Sequence, residues 1–341
     1  MRLVFVTQSV DPAHPVLAAT VDKVAALAER VDEVVVLADS AVESALPPNC
    51  RARSFRAPTR AGRGARFELA LASELRTRDG RAVVAHMCPV YALAAAPLAR
   101  PLRVPVVLWF AHWHDSALLR AAERVSTAVV SVDRRSFPFA SQKLSAIGHG
   151  IDVSRFACAP RPEGATFNVL ALGRYSPSKG LDVVIRAVSK TDARLVVSGP
   201  ALTSDERRHR ADLERLVVEL GVGDRISLGD AVPRASVPEL FADADVLVSN
   251  MRAGAPDKVV YEAAASCVPV VASSPVFDDL VDPELRFERD SLEALAETLR
   301  SLASRPSLER EAIGRELRRR VEERHAVGAW ADGVLRAVRI A

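Results

Sequence analysis

Two segments carry cations and carboxylates at spacings suited to a phosphorylated ligand. In LALGRYSPSKGLDVVIRAV, residues 170–188, an apolar run ends at Gly173. Arg174 follows, and Lys179 and Gly180 open a helix-periodic stretch. Two cations five positions apart at such a turn can close on one diphosphate, arginine as a fork of donors and lysine as a point charge. A solvated basic loop is the plainer alternative. In APDKVVYEAAASCVPVVAS, residues 255–273, Pro256 suits the first turn of a helix, where its missing N–H would be unpaired anyway. The exposed N-terminus of that helix, around Asp257, Lys258 and Val259, offers free N–H groups and a favourable dipole to an anion. Glu262 lies about one turn in. It is poorly suited to phosphate and well suited to accept two hydroxyl hydrogen bonds from a ribose. Lys258 can pair with phosphate or with Glu262, four positions on. An ordinary surface Lys–Glu pair is the alternative.

A third segment, LWFAHWHDS at 108–116, ends an apolar run in His112, Trp113, His114 and Asp115. Alternate residues of an extended chain share a face, so His112 and His114 could chelate a metal, yet no third ligand stands nearby. A strand-end His112 touching bound substrate fits better, and a buried, satisfied histidine is the third reading. In AIGHGIDVSRF, 146–156, Gly148 and Gly150 flank His149, and Asp152 is placed to cap a turn. The segment 51–66 holds six arginines, Arg51, Arg53, Arg56, Arg60, Arg63 and Arg66, and no acid. It reads as a mobile loop, either contacting an anionic surface or merely solvated.

Around these segments the pattern alternates strand and helix. Apolar runs at 3–6, 34–37, 82–85, 105–110, 128–132 and 143–147 are separated by helical stretches at 16–31, 66–78 and 116–125. Such continuous runs imply parallel sheets covered on both faces. The Pro- and Gly-bearing stretch 151–166 breaks the rhythm and marks a domain boundary. The alternation then restarts. Strands are predicted at 167–172, 194–197, 225–228, 246–249 and 268–272, and helices at 180–188, 205–220, 237–241, 259–265, 291–302, 308–321 and 326–338. The expected architecture is two doubly wound α/β domains with a helical tail, binding ligand beyond the carboxyl ends of their strands and in the cleft between domains.

Composition excludes several classes. The 341 residues suggest about two domains, and 49% hydrophobic content excludes a disordered chain. A net charge of +3 argues against bulk nucleic-acid binding. The N-terminus shows no secretory h-region, and no stretch is apolar enough to span a membrane. Cys50, Cys88, Cys158 and Cys267 form no C-x-x-C pair and read as separate thiols of a reducing cytoplasm. The first strand-to-helix loop, TQSVDPAHPVL, is not G-x-G-x-x-G, and no P-loop, H-E-x-x-H or G-x-S-x-G occurs.

Taken together, LGRYSPSKGLDVVIRAV, GHGID and DKVVYEAAASCVPVVAS resemble the retaining nucleotide-sugar glycosyltransferases of family 4, over essentially the whole chain and in order. The resemblance implies the GT-B fold. An acceptor-binding domain would occupy 1–155 and a nucleotide-sugar-binding domain 165–325. A final helix, 326–341, would return to the first domain with Trp330 as an anchor. It also implies that Arg174 and Lys179 bind the diphosphate and that Glu262, the second Glu of an E-x7-E motif, holds the ribose. His112 would contact the donor sugar, and Gly199 would lie near the nucleotide. Gly254 stands where the first Glu of that motif would be, leaving the sugar contact to nearby backbone N–H groups or to Asp257. The implied activity is metal-independent, retaining transfer from a nucleoside-diphosphate sugar, a UDP- or GDP-sugar, to a glycan, natural-product or lipid-linked acceptor. There would be no bound cofactor and no nucleic acid. The implied setting is cytoplasmic, compatible with contact at the inner face of the cell membrane. The rival readings are a non-catalytic GT-B scaffold or activator subunit, motivated by Gly254, and a sugar-nucleotide epimerase or phosphorylase-like enzyme.

Overall fold

The computed structural model describes residues 1–76, 81–160 and 166–340. They form two compact units, Met1–Ile151 with Arg324–Ala341, and Asp152–Glu323.

The first unit is built on seven strands: β1 (Arg2–Val10), β2 (Glu33–Ala41), β3 (Cys50–Ser54), β4 (Arg81–His86), β5 (Val106–Trp109), β6 (Ala128–Ser131) and β7 (Leu144–Ala146). Their order is β3-β2-β1-β4-β5-β6-β7, and every pairing is parallel. Helices α1 (Thr20–Ala28), α2 (Arg60–Glu74), α3 (Pro89–Ala99) and α4 (Ala117–Val125) connect them. The apolar runs of β1, β2, β4 and β5 are buried because both sheet faces are covered.

Two expectations change here. The arginine-rich stretch 51–66 is not a loop: its first residues form β3, and from Arg60 it is helix α2, capped by Thr59 accepting from the Gly62 N–H at 3.1 Å. Arg51 and Arg53 both reach the Glu74 carboxylate, whose own pKa is held down by these two cations against the opposing effect of burial. Positions 77–78 of the predicted helix lie outside the described residues. Helix α3 was not anticipated, because PVYALAAAPLA is apolar on every side and shows no amphipathic period. The unit also contains α11 (Val327–Ile340), whose Trp330 is fully buried and meets Trp109 edge-on at 5.8 Å. The ammonium of Lys23, on α1, lies 4.8 and 5.1 Å from the centroids of these two rings.

The second unit has five parallel strands: β8 (Asn168–Leu172), β9 (Arg194–Ser198), β10 (Ile226–Gly229), β11 (Val246–Ser249) and β12 (Val270–Ala272). Their order is β10-β9-β8-β11-β12. Its helices are α5 (Leu181–Ser189), α6 (Ser204–Glu219), α7 (Val237–Ala242), α8 (Lys258–Ala265), α9 (Leu292–Ala303) and α10 (Ser307–Arg324). Pro162 and Gly164 of the predicted boundary lie outside the described residues. The cysteines also correct the expectation: Cys158 and Cys267 form a disulfide, with Cα atoms 5.0 Å apart, while Cys50 and Cys88 are free. A partner 109 positions away leaves no local spacing for a sequence to display.

Candidate functional site

In the second unit the strand order reverses between β8 and β11. A doubly wound sheet binds ligand beyond the carboxyl ends of its strands at such a reversal, because the two following loops diverge there and open a crevice. The loop after β8 carries Gly173, Arg174 and Lys179. The loop after β11 runs from Asn250 to Asp257 and opens α8.

The β8 loop is held from below. Between Arg174 and Ser176 the Tyr175 side chain turns inward, fully buried, and its hydroxyl donates to the Gly229 carbonyl at 2.7 Å. Burial pushes this phenol up to about 12. With Tyr175 fixed, Arg174 faces outward and is half exposed. Its guanidinium lies 3.0 Å from Glu206, a buried carboxylate that also closes the capping box of α6 with Thr203. Gly199 is required by contact: a Cβ there would lie 1.9 Å from the Gly173 carbonyl oxygen. Its part in this structure is the close approach of the β8 and β9 loops.

Lys179 crosses to the second loop. Its ammonium donates to the Leu172 carbonyl at 3.1 Å and to the Asp257 carboxylate at 2.5 Å. Both members of that pair are about one-seventh exposed, at 14%. Asp257 is the N-cap residue of α8, and its side chain caps no helical N–H. Pro256 therefore precedes the cap instead of occupying the first turn as expected. The backbone N–H groups of Lys258 and Val259 belong to the open end of α8. Of the two partners open to Lys258, the structure shows Glu262, at 2.6 Å. Gly254 has φ +80°, a left-handed conformation that a glutamate would strain to adopt.

Three residues that sequence reasoning passed over complete this arrangement. Glu206 partners Arg174. Asn250, almost fully buried, donates to the Gly180 carbonyl at 3.2 Å and to Asp290 at 3.0 Å, tying the two loops to the segment before α9. Asp290 returns a bond from its N–H to Asn250 at 3.1 Å. The T-x-x-E pattern of Thr203 and Glu206 signals a helix start. Nothing in it signals a bond to a residue 32 positions earlier. Among the described residues no group of three or more His, Cys, Asp and Glu side chains could hold a metal ion.

His112 belongs to the first unit, on the loop beyond β5, and is exposed as a residue while its ring stacks on Trp113 at 5.1 Å. Its Nδ1 accepts the His114 N–H at 3.0 Å. Partial burial of the ring, with His114 adding to it, holds the imidazole below its ordinary value. The neutral ring then carries its proton on Nε2, a donor suited to a hydroxyl or carbonyl oxygen. His112 and His114 thus meet through a backbone bond, not as paired ligands.

Two doubly wound parallel-sheet units with a C-terminal helix returned to the first define a fold of the GT-B kind. Residues 160–323 match the family Glycosyl transferases group 1. The chain is 25% identical over 240 residues to the GDP-mannose:cellobiosyl-diphosphopolyprenol alpha-mannosyltransferase of Xanthomonas oryzae pv. oryzae (strain PXO99A), covering 66% of this chain and 61% of that protein. It is 31% identical over 174 residues to the GDP-mannose-dependent alpha-(1-6)-phosphatidylinositol monomannoside mannosyltransferase of Mycolicibacterium smegmatis (strain ATCC 700084 / mc(2)155), covering 43% of this chain and 44% of that one. The chain thus spans 61% or less of the length of these relatives. Its fold is similar to that of Anabaena Alr3699/HepE, solved in complex with UDP, with a TM-score of 0.80, 18% identity and complete coverage of both chains. The match to Glycosyl transferases group 1 thus falls on the second unit, and the likeness to the solved structure is one of fold.

Proposed function

We propose that this chain is a retaining, metal-independent glycosyltransferase. The second unit binds a nucleoside-diphosphate sugar, and the first receives the acceptor. One observation carries the reading: Lys179 and Asp257 bridge the two loops that flank the strand-order reversal, where a ligand of this fold belongs. Bond breaking leaves negative charge on the diphosphate. Arg174, Lys179 and the open N–H groups of α8 supply donors and positive potential where that charge forms. Glu262 accepts from the ribose hydroxyls, and His112 donates from Nε2 to the donor sugar. As the sugar–phosphate bond breaks, the acceptor oxygen bonds to the anomeric carbon from the same face. Its proton passes to the leaving phosphate oxygen, so no enzymic nucleophile is needed.

Two relatives act, by their names, on a diphosphopolyprenol and a phosphatidylinositol mannoside, each bearing phosphate. With Arg56 just before α2 and Arg60, Arg63 and Arg66 in its first two turns, this supports an anionic, lipid-linked acceptor met at a membrane surface. Among the described residues no helix is long and apolar enough to cross a membrane.

Calorimetry with UDP, GDP, ADP and dTDP, with and without EDTA, tests the donor site. One diphosphate should bind independently of metal. Arg174→Ala should weaken it at least roughly tenfold, with little loss of stability because Arg174 is half exposed and Glu206 keeps its bonds to the N–H groups of Leu202 and Thr203. No binding to any of the four by a folded protein would instead support the scaffold reading.

A further inference from the structure

We infer that Asp257 is an internal competitor for the diphosphate, a carboxylate that occupies Lys179 when the donor is absent and takes it back as the product leaves. This rests on reading the two loops as a nucleoside diphosphate site.

The argument begins with charge. The three cations assigned to the ligand are each paired: Arg174 with Glu206 at 3.0 Å, Lys179 with Asp257 at 2.5 Å, Lys258 with Glu262 at 2.6 Å. The three pairs differ in what a ligand would do to them. Glu206 has other work, since its second oxygen accepts the N–H groups of Leu202 and Thr203 at 2.8 and 3.2 Å. It keeps those bonds if Arg174 leaves. Glu262 is on the helix face four positions from Lys258, where a ribose would displace nothing of its charge. Asp257 differs from both. It caps no helical N–H, although the N-cap position would let it do so. Its carboxylate stands instead on the ammonium that a diphosphate would need, at the open end of α8.

A phosphate oxygen that approaches Lys179 while the carboxylate stays must share one partly buried cation with it, and the two anions repel each other. The ligand must displace the carboxylate, and its apparent affinity falls by the fraction of molecules in which Lys179 is released. The competitor is intramolecular, so its effective concentration is high and independent of protein concentration. The same arrangement acts in the other direction after transfer. As the nucleoside diphosphate loosens, the carboxylate re-forms its pair with Lys179 and opposes rebinding, which favours product release, a step that limits turnover in many enzymes. Asp257 is thus a positioning residue of the empty state, and its removal should strengthen ligand binding, the opposite of what removing a ligand contact does.

The test is calorimetry in EDTA with UDP, GDP and inorganic pyrophosphate on wild type, Asp257→Asn, Asp257→Ser and Arg174→Ala. Asn and Ser are both favoured N-cap residues, so the start of α8 is preserved in either variant, and a urea melt of each establishes that it is folded. The expected result is roughly tenfold tighter binding of the nucleoside diphosphate and of pyrophosphate in both Asp257 variants, with binding lost in Arg174→Ala. Tighter binding in the variants alone, with wild type below detection, also supports the inference. Unchanged or weaker binding in folded variants, while wild type binds, overturns the inference and leaves the donor site standing. Absence of binding in wild type and variants alike overturns both.

Discussion

His86 is a residue whose chemistry is set by what surrounds it. It is buried at the end of β4, with Nδ1 3.3 Å from the Thr7 hydroxyl, Nε2 without a hydrogen-bond partner among the described residues and the ring stacked on Trp109. Burial, and then the nearby Lys23 cation, push it well below its ordinary value. His325 is pushed down to about 4 by burial, with Arg324 adding to it. Both therefore bind a proton more readily in the unfolded chain, whose histidines titrate near 6.5. Their contribution to stability is fully present above about pH 6.5 and is lost as pH falls toward the folded values, about 3 kcal/mol at most for His325. Urea melts between pH 7.5 and 4.5 should show this decline, and His325→Gln should flatten it. An equal slope in that variant would show that the ring titrates normally. Single residues were the least legible scale. The cations Arg174 and Lys179 stand out by type and position, whereas their partners Glu206 and Asp257 are chosen by three-dimensional approach. His86 gave no signal, because a histidine inside an apolar run looks the same whether satisfied or isolated.

At the scale of elements, the sequence was most informative where burial is two-sided. β-branched runs such as those of β1, β2 and β11 have no competing reading, so strands were placed within a few residues. Helix α3 failed because its alanines offer no polar face, and β3 failed because alternate arginines pointing at Glu33 and Glu74 do not resemble a buried strand. The back end of α8 shows a further limit. There Cys267 is joined to Cys158, and Arg318 of α10 donates to the carbonyls of Phe156, at 2.6 Å, and of Ala265. Disulfide and guanidinium together fasten the segment entering the second unit to the helix that has Asp257 at its other end and Glu262 one turn in. Closing a loop of 109 positions restricts the unfolded chain enough for Cys267→Ser to cost about 3–5 kcal/mol. A shift of the urea midpoint measures this. Thiol titration of the unreduced, denatured protein should count only Cys50 and Cys88; four reactive thiols would show that the bond does not form.

For the whole molecule, two parallel sheets ordered about a central reversal follow from repeated alternation, and the restart of the pattern after residue 166 was visible as such. What no local pattern gives is that the first unit is discontinuous. Its sheet is covered in part by α11, through Trp330, Val334 and Leu335, all buried. Trp330→Ala should lower stability by about 3–5 kcal/mol through the cavity it leaves. Hydrogen exchange should rise in residues 1–151 and not in 166–320. A uniform rise across both would contradict the division into two units.

The discontinuity also bears on synthesis. Chains emerge from the ribosome at about 5–20 residues per second, and domains fold largely as they appear. The strands β1 to β7 emerge first, yet α11 is made after all the elements of the second unit. For many seconds Trp109 and the Lys23 ammonium lack the ring of Trp330 that covers them in the finished fold. The first unit, begun before the second, is completed after it, so a chain stopped short of α11 would leave the first unit unfinished and the second able to close.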